Sequence, residues 1–224
     1  FSRKAQKKPL DLLRVLLAFG GARVETTALI ELLWPDAEGD AAKVSFDSNL
    51  YRLRKLIGVD DVLSLTEGKL SLDAKQCASD VWDFERIVAS IESEAQSGDA
   101  KTTAAFAKEL LRLYTGHFLH QESQETWAIT ARDKLRAKFA RAVALLGAKM
   151  EEYKEWEQAA MLYSRALELD NLAEALYRRL MISYRELGES AEALNTYRRC
   201  RDMLSIVLNI KPSAETETVR ATLQ

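Results

Sequence analysis

The side chains best suited to binding chemistry lie between residues 40 and 58, in the stretch DAAKVSFDSNLYRLRKLIG. Its apolar residues recur at spacings of four, three and four, which predicts an amphipathic helix over residues 41–57 with one buried stripe. The stripe consists of Phe46, Leu50, Leu53 and Ile57. At about 100° per residue, Val44, Ser48, Tyr51, Arg52 and Lys55 point the opposite way. Asp40 is the predicted N-cap of this helix, and Gly58 its stop signal.

The outward face of this helix combines hydroxyl groups, an amide and cations. Ser45 and Asn49 flank the face on one side, and Asp47 and Arg54 on the other. Groups of these kinds hydrogen-bond the base edges and the phosphates of DNA. A solvated surface helix has the same composition, so both interpretations stay open at this stage.

The elements around this helix place it in a recognisable order. Two shorter helices are predicted before it, Leu10–Phe19 behind Pro9 and Ala28–Trp34 behind a Thr26 or Thr27 cap. An alternating hairpin is predicted after it, from two short strands on either side of a Glu67-Gly68 turn. Its strands are Val62–Thr66 and Lys69–Leu72. Three helices followed by a hairpin predict a winged helix-turn-helix with the third helix in the recognition position.

From Asp80 onward the pattern is helical, and the last hundred residues repeat at a period of 34. Large, small and aromatic residues recur in the order that a tetratricopeptide helix pair requires. The first copy holds Val143, Leu146, Gly147, Met150, Ala159, Tyr163 and Ala166, and the second Tyr177, Leu180, Met181, Tyr184, Ala193, Tyr197 and Cys200. A long helix over Gln124–Glu152 is expected to bend or split near Gly147. The sequence therefore predicts a mainly α protein with a winged helix domain at 1–76 and an all-α, tetratricopeptide-like domain at 77–224.

Composition limits the range of partners and compartments. The net charge is −2, and residues 1–73 hold eleven basic and eleven acidic residues, so any attraction to a polyanion must be local. Only two cysteines occur, without metal-type spacing, which is typical of a reduced, cytoplasmic protein. No apolar run approaches the roughly 20 residues of a membrane span, and no signal peptide is recognisable. The chain starts at Phe1, which favours a fragment or a processed chain.

Catalytic and metal-binding chemistry finds little support. His117 and His120 are three residues apart, but Gly116 argues against a helix that would direct both at one metal. No phosphate-binding glycine loop, nucleophile elbow or zinc-protease motif occurs, so the chain is expected to be no enzyme and to hold no cofactor and no metal. The four scattered tryptophans are expected to pack in cores or between domains, and not to stack on bases.

The whole chain resembles a known family, through short motifs that follow one another in the family's order. These motifs are Leu33–Asp36, Asn49–Gly58, Leu70–Asp73, Asp80–Arg86, Leu113–Leu119, Arg165–Asp170 and Ile210–Thr216. The first three resemble the OmpR-type winged helix of SARP-type bacterial transcriptional activators. The others resemble the bacterial transcriptional activator domain that follows it. OmpR-type domains begin with a small antiparallel sheet, and about eight residues precede Pro9 here, so that sheet is expected to be truncated.

The resemblance implies a transcription activator with double-stranded promoter DNA as its partner. The third helix would enter the major groove, with Arg52 reading a base, a role in which a bidentate bond to guanine is chemically favoured. Asp47 and Ser48 would lie near bases, Asn49, Tyr51, Arg54 and Lys55 would hold phosphates, and Thr66 and Lys69 would contact DNA from the wing. The loop Trp34–Asp40 lies where relatives contact RNA polymerase. Its acidic residues Asp36, Glu38 and Asp40 would suit a basic patch on a sigma or alpha subunit, whereas the alternative is a solvated turn.

Neither the oligomeric state nor the function is settled by the sequence. The oligomeric state stays open at this stage: family members often bind direct repeats cooperatively, so the resemblance allows a homodimer on DNA. The competing hypothesis is a signalling scaffold whose helical repeats bind a protein partner without DNA contact. The neutral charge of residues 1–73 favours the scaffold, and the cationic outer face of the 41–57 helix favours DNA binding.

Overall fold

The computed structural model describes residues 7–37, 39–59, 61–94, 98–119 and 125–223. The elements of the first half are α1 (Lys7–Ala18), β1 (Val24–Glu25), α2 (Thr26–Leu33), α3 (Gly39–Ile57), β2 (Leu63–Thr66), β3 (Lys69–Leu72), α4 (Asp80–Glu94) and α5 (Ala100–Leu113). The second half contains α6 (Thr126–Glu152), α7 (Trp156–Leu169), α8 (Glu174–Glu186), α9 (Ser190–Met203), a π-helical turn (Leu204–Leu208) and α10 (Ala214–Ala221). The mainly α architecture with one small sheet is confirmed.

The chain forms two compact units that are discontinuous in sequence. Unit one contains residues 1–82 and 118–133, and unit two contains residues 83–117 and 134–224. The division at residues 76 and 77 stays a prediction about sequence domains.

Unit one has the order of elements of a winged helix. Helices α1, α2 and α3 bury a shared apolar core that includes Leu16, Leu29, Phe46 and Leu53. Trp127 and Ala128, at the start of α6, join the same core, and Trp34 and Trp82 pack against it. Three of the four tryptophans therefore lie in or against a core, as their scattered positions predicted.

The sheet of unit one is antiparallel in the order β1-β3-β2. The hairpin registers Leu63 opposite Leu72 and Thr66 opposite Lys69. Glu67 and Gly68 both have positive φ, 53° and 74°, which is the geometry of the tight turn that matches strand twist. The hairpin prediction is confirmed. Strand β1 was not predicted, because two residues are too short to show an alternating pattern.

Two predicted caps are wrong in detail. Helix α3 begins at Gly39, so Asp40 lies in its first turn, where a carboxylate favours the positive end of the helix dipole. Helix α2 has Glu25 as its N-cap, without a side-chain cap, and the Thr26 hydroxyl instead donates to the Gly68 carbonyl at 2.9 Å. The stop at Gly58 is confirmed, since this residue has a φ of 72° and its N–H donates to the Arg54 carbonyl.

Unit two is a helical repeat in which α7, α8 and α9 pack in succession. The small and aromatic positions of the 34-residue period form its core, with Ala159, Tyr163, Tyr177 and Ala193 at 2% exposure or less. Helix α6 is continuous from Thr126 to Glu152, so the predicted split at Gly147 does not occur. The glycine instead permits the close approach of Tyr163: a Cβ at position 147 would lie 2.0 Å from the tyrosine Oη.

Candidate nucleic-acid interface

Helix α3 presents the predicted outer face to solvent. Three residues of its predicted stripe, Phe46, Leu50 and Leu53, are at most 3% exposed, which fixes the rotation of the helix about its axis. The fourth, Ile57, is half-buried against the same core. The opposite residues are exposed: Lys43, Val44, Asp47, Ser48, Tyr51, Arg52 and Lys55. A polar and cationic surface is thus held on a rigid helix by the core beneath it.

Asn49 does not belong to this surface. It is 9% exposed, and its Nδ2 donates to the Ser45 carbonyl at 2.8 Å within the same helix. The reason is its spacing, since Asn49 lies three residues after Phe46 and four before Leu53, on the core side of α3. The prediction that Asn49 holds a phosphate is therefore wrong about its exposure, and the amide is used inside the helix. Ser45 is half-buried on the same side.

Arg54 links α3 to the hairpin of β2 and β3, which is the wing of unit one. Its guanidinium Nη2 donates to the Leu63 carbonyl, at the first residue of β2, over 2.9 Å. One donor of the fork is therefore committed to the protein, and the side chain remains exposed. This bond holds the start of the hairpin against the C-terminal half of α3.

The wing residues differ in their availability. Thr66 is exposed beside the turn of the hairpin. Lys69 lies opposite Glu25 in the sheet and forms a 3.1 Å ion pair with its carboxylate. The lysine charge is partly neutralised there, although 32% of the side chain is exposed. The glutamate partner belongs to the unpredicted strand β1, so no pattern in the sequence indicated this pair.

The cations Lys55 and Arg52 on the outer face of α3 differ in the contacts that they make within the protein. The ammonium of Lys55 lies 4.7 Å from the centroid of the Tyr51 ring, in a cation–π contact that aligns the two side chains. Arg52 is exposed and, within the part of the chain that the structure describes, makes no hydrogen bond or ion pair. All five guanidinium donors of Arg52 are therefore available to a ligand.

The loop before α3 carries the predicted polymerase-contacting residues. Asp36 and Asp40 are both exposed, with Asp36 in the loop and Asp40 in the helix, and Glu38 lies outside the described residues. A groove of about 800 Å³ lies beside them, between α2, α3 and the wing. Its wall includes Trp34 and Phe46, whose rings meet edge to face at 6.5 Å. Trp34, the first residue of this loop, packs against the core and so anchors the loop where α2 ends.

The described residues contain no group of three or more His, Cys, Asp or Glu side chains placed to hold a metal ion. His117 shares a 2.9 Å hydrogen bond with the hydroxyl of the buried Tyr114, and His120 lies outside the described residues. Burial raises the pKa of the Cys200 thiol to about 12, so very little of the reactive thiolate forms near neutral pH. Among the described helices, each is too short or too polar to traverse a lipid bilayer.

Residues 79–224 match the family described as bacterial transcriptional activator domain. The regulatory protein DnrI of Streptomyces peucetius is 23% identical over 224 residues, and the match covers 93% of this chain and 80% of that protein. The structure of Mycobacterium tuberculosis EmbR in complex with a low affinity phosphopeptide is similar in fold, with a TM-score of 0.70 at 21% identity. That match covers 96% of this chain, which spans 58% of the EmbR chain.

The family match covers well over half of the chain, and the motifs of the winged helix precede it in the expected order. The chain therefore belongs to the bacterial transcriptional activator domain family, in the arrangement of a SARP-type regulator.

Proposed function

We propose that this protein is a sequence-specific DNA-binding transcription regulator that inserts α3 into the major groove of a promoter. The observation that carries the proposal is the outer face of α3, where Ser48, Tyr51, Arg52 and Lys55 are exposed together on a helix fixed by its buried stripe. An α-helix fits the major groove, and hydroxyl and guanidinium groups can bond base edges there.

Within this surface the roles follow from chemistry. Arg52 is free to form a bidentate bond to guanine O6 and N7. Lys55, aligned by Tyr51, and the exposed part of Arg54 would contact phosphates, with Thr66 and Lys69 on the wing. Asp47 and Ser48 lie where base edges would be reached. The neutral overall charge of residues 1–73 is compatible with DNA binding, because Lys43, Arg52 and Lys55 are exposed together on the outer face of α3.

The acidic residues Asp36 and Asp40 are proposed to contact a basic patch of RNA polymerase, on its sigma or alpha subunit. They are exposed at the N-terminal end of α3, so a polymerase bound beside the promoter site could reach them. Two copies of the chain on a direct repeat would place two such acidic pairs in one orientation. Spaced half-sites among selected sequences would support that arrangement.

The test is selection of bound duplexes from a random pool, followed by affinity measurements on the selected site over a range of salt concentrations. Arg52→Ala is expected to cost about 1–3 kcal/mol of specific affinity and to relax the preference at one base position. Lys55→Ala should weaken binding to all sequences and lower the salt slope by about one. Arg199→Ala is the matched control, since this arginine is exposed on α9 in unit two.

The proposal fails if no sequence is enriched, or if Arg52→Ala leaves the affinity and the preference unchanged. Thermal unfolding of each variant, which should match the wild type at these exposed positions, separates a lost contact from a lost fold.

A signalling scaffold is the second candidate function. It is favoured by an exposed apolar segment of unit two, in which Ile206 is 80% exposed and Val207, Leu208 and Ile210 about half exposed. A scaffold would bind a protein through the helical repeat and show no salt-dependent retention of DNA. The same selection and salt titration therefore separate the two functions.

A further inference from the structure

Val44 is an exposed β-branched residue on the outer face of α3. Its side chain is 67% exposed, although valine is among the residue types most often buried. Its helix propensity is also low, because the branched side chain is restricted against the preceding turn. Neither burial nor helix formation accounts for valine at this position.

The surroundings of Val44 are those of a reading surface. Ser48 and Tyr51 follow it at spacings of four and seven, so the three side chains form one outward stripe along two turns of helix. Exposed cations lie on the same surface at Lys43, Arg52 and Lys55. Val44 also lies in the N-terminal half of α3, and N-terminal residues of recognition helices contact base edges.

We infer that Val44 reads a thymine through an apolar contact between its γ-methyl groups and the thymine C5-methyl group. This inference rests on the proposed function. The C5-methyl group is the apolar feature of the major groove, and it distinguishes a thymine from every other unmodified base. A charged or hydroxyl side chain at this position would favour a different base edge, whereas valine has only methyl groups to offer.

The helix also fixes the distance between this thymine and the base read by Arg52. The two residues are eight positions apart, which corresponds to about 12 Å along a helix that rises 1.5 Å per residue. At 3.4 Å per base, this is about three to four base pairs when the helix follows the groove. The selected site should therefore hold a thymine about three to four base pairs from a guanine.

The experiment is a double-mutant cycle in which the protein loses the methyl groups of Val44 and the DNA loses one thymine C5-methyl group. Each thymine of the selected site is replaced in turn by uracil, which lacks only the C5-methyl group, and each duplex is titrated with the wild type and with Val44→Ala. For the wild type, uracil at one position should weaken binding by about fourfold, as expected for loss of one buried methyl contact. Val44→Ala should bind the thymine duplex about fourfold more weakly and show no further loss with uracil at that position.

Met161→Ala is the matched control, since this residue is also apolar and 66% exposed but lies on α7 in unit two. It should keep the full sensitivity to uracil. Equal thermal midpoints for both variants and the wild type would show that the fold is intact.

A wild type that is indifferent to uracil at every position overturns the inference, as does a Val44→Ala variant that keeps the wild-type uracil penalty. In both cases the selected site still supports the proposed function. Failure to select any site refutes the proposed function, and the inference falls with it.

Discussion

Substitution of Gly147 by alanine should destabilise unit two, although alanine is the better helix former. A Cβ at this position would lie 2.0 Å from Oη and 2.2 Å from Cζ of Tyr163, well inside contact distance. Tyr163 cannot move aside freely, because it is fully buried and its hydroxyl donates to Glu151 Oε1 at 2.7 Å. Glu151 is itself held by Arg179, whose Nη1 lies 2.6 Å from Oε2.

The expected magnitude follows from three contributions. Alanine gains about 1 kcal/mol of helix propensity over glycine. Forcing an extra carbon into a packed core costs about 1–3 kcal/mol, and displacing a buried hydroxyl from its acceptor costs about 1–3 kcal/mol. The net expectation is a loss of about 1–5 kcal/mol in the free energy of unfolding.

The assay is urea unfolding followed by circular dichroism, with hydrogen exchange of α7 peptides to locate the change. Gly116→Ala is the control, because Gly116 has open space around it and no positive φ, so alanine there should be neutral or slightly stabilising. The double variant Gly147→Ala, Tyr163→Leu should lose less than the sum of its single variants by about 1 kcal/mol or more. A Gly147→Ala protein as stable as the Gly116→Ala control would refute the steric explanation.

Two further predictions concern alkaline stability and activation. Burial, and to a lesser extent the Asp170 carboxylate, raise the pKa of Tyr114 from an ordinary value of 10.0 to about 12. The unfolded state therefore loses this proton first, and stability that is intact below pH 10 should fall by up to about 2–3 kcal/mol as the pH rises to about 12. Tyr114→Phe, compared with the wild type by urea unfolding at several pH values, should reduce this dependence, and an unchanged slope would exclude Tyr114 as its source. Asp36→Asn with Asp40→Asn should leave the DNA footprint intact but lower transcription in vitro severalfold. Unchanged transcription would contradict the proposed polymerase contact, and a thermal midpoint controls for the loss of a favourable helix-dipole charge at Asp40.

Local patterns in the sequence were sufficient for most of the helices, for the hairpin and for the rotation of α3 about its axis. The buried stripe of α3, the stop at Gly58 and the hairpin turn at Glu67-Gly68 depend on residues only a few positions apart. Periodicity and turn chemistry encode such features directly. The repeat of 34 residues was readable for the same reason, since most of its positions are buried in both copies.

The tertiary structure alone decided which of the polar residues on that helix are available. The buried Asn49 bonds the Ser45 carbonyl, and Arg54 is directed to Leu63 in the wing. Lys69 is paired with Glu25 from a strand that exists only because β3 pairs with it. The type and spacing of a side chain show which groups it can hydrogen-bond. Its actual partner depends on which backbone groups the fold brings near it from distant parts of the sequence.

The core of unit one also shows which features the sequence reveals and which only the tertiary structure decides. The apolar character of Trp127 is plain in the sequence, whereas its place in a core built mainly from residues 12–72 is not. Periodicity reports that a face must be buried, but it cannot name the surface that buries it, because many apolar surfaces have nearly equal free energies of burial and packing selects among them. The sequence thus determined the exposed polar face of α3, which is proposed to meet DNA, and the fold decided which side chains on that face remain free to bond a ligand.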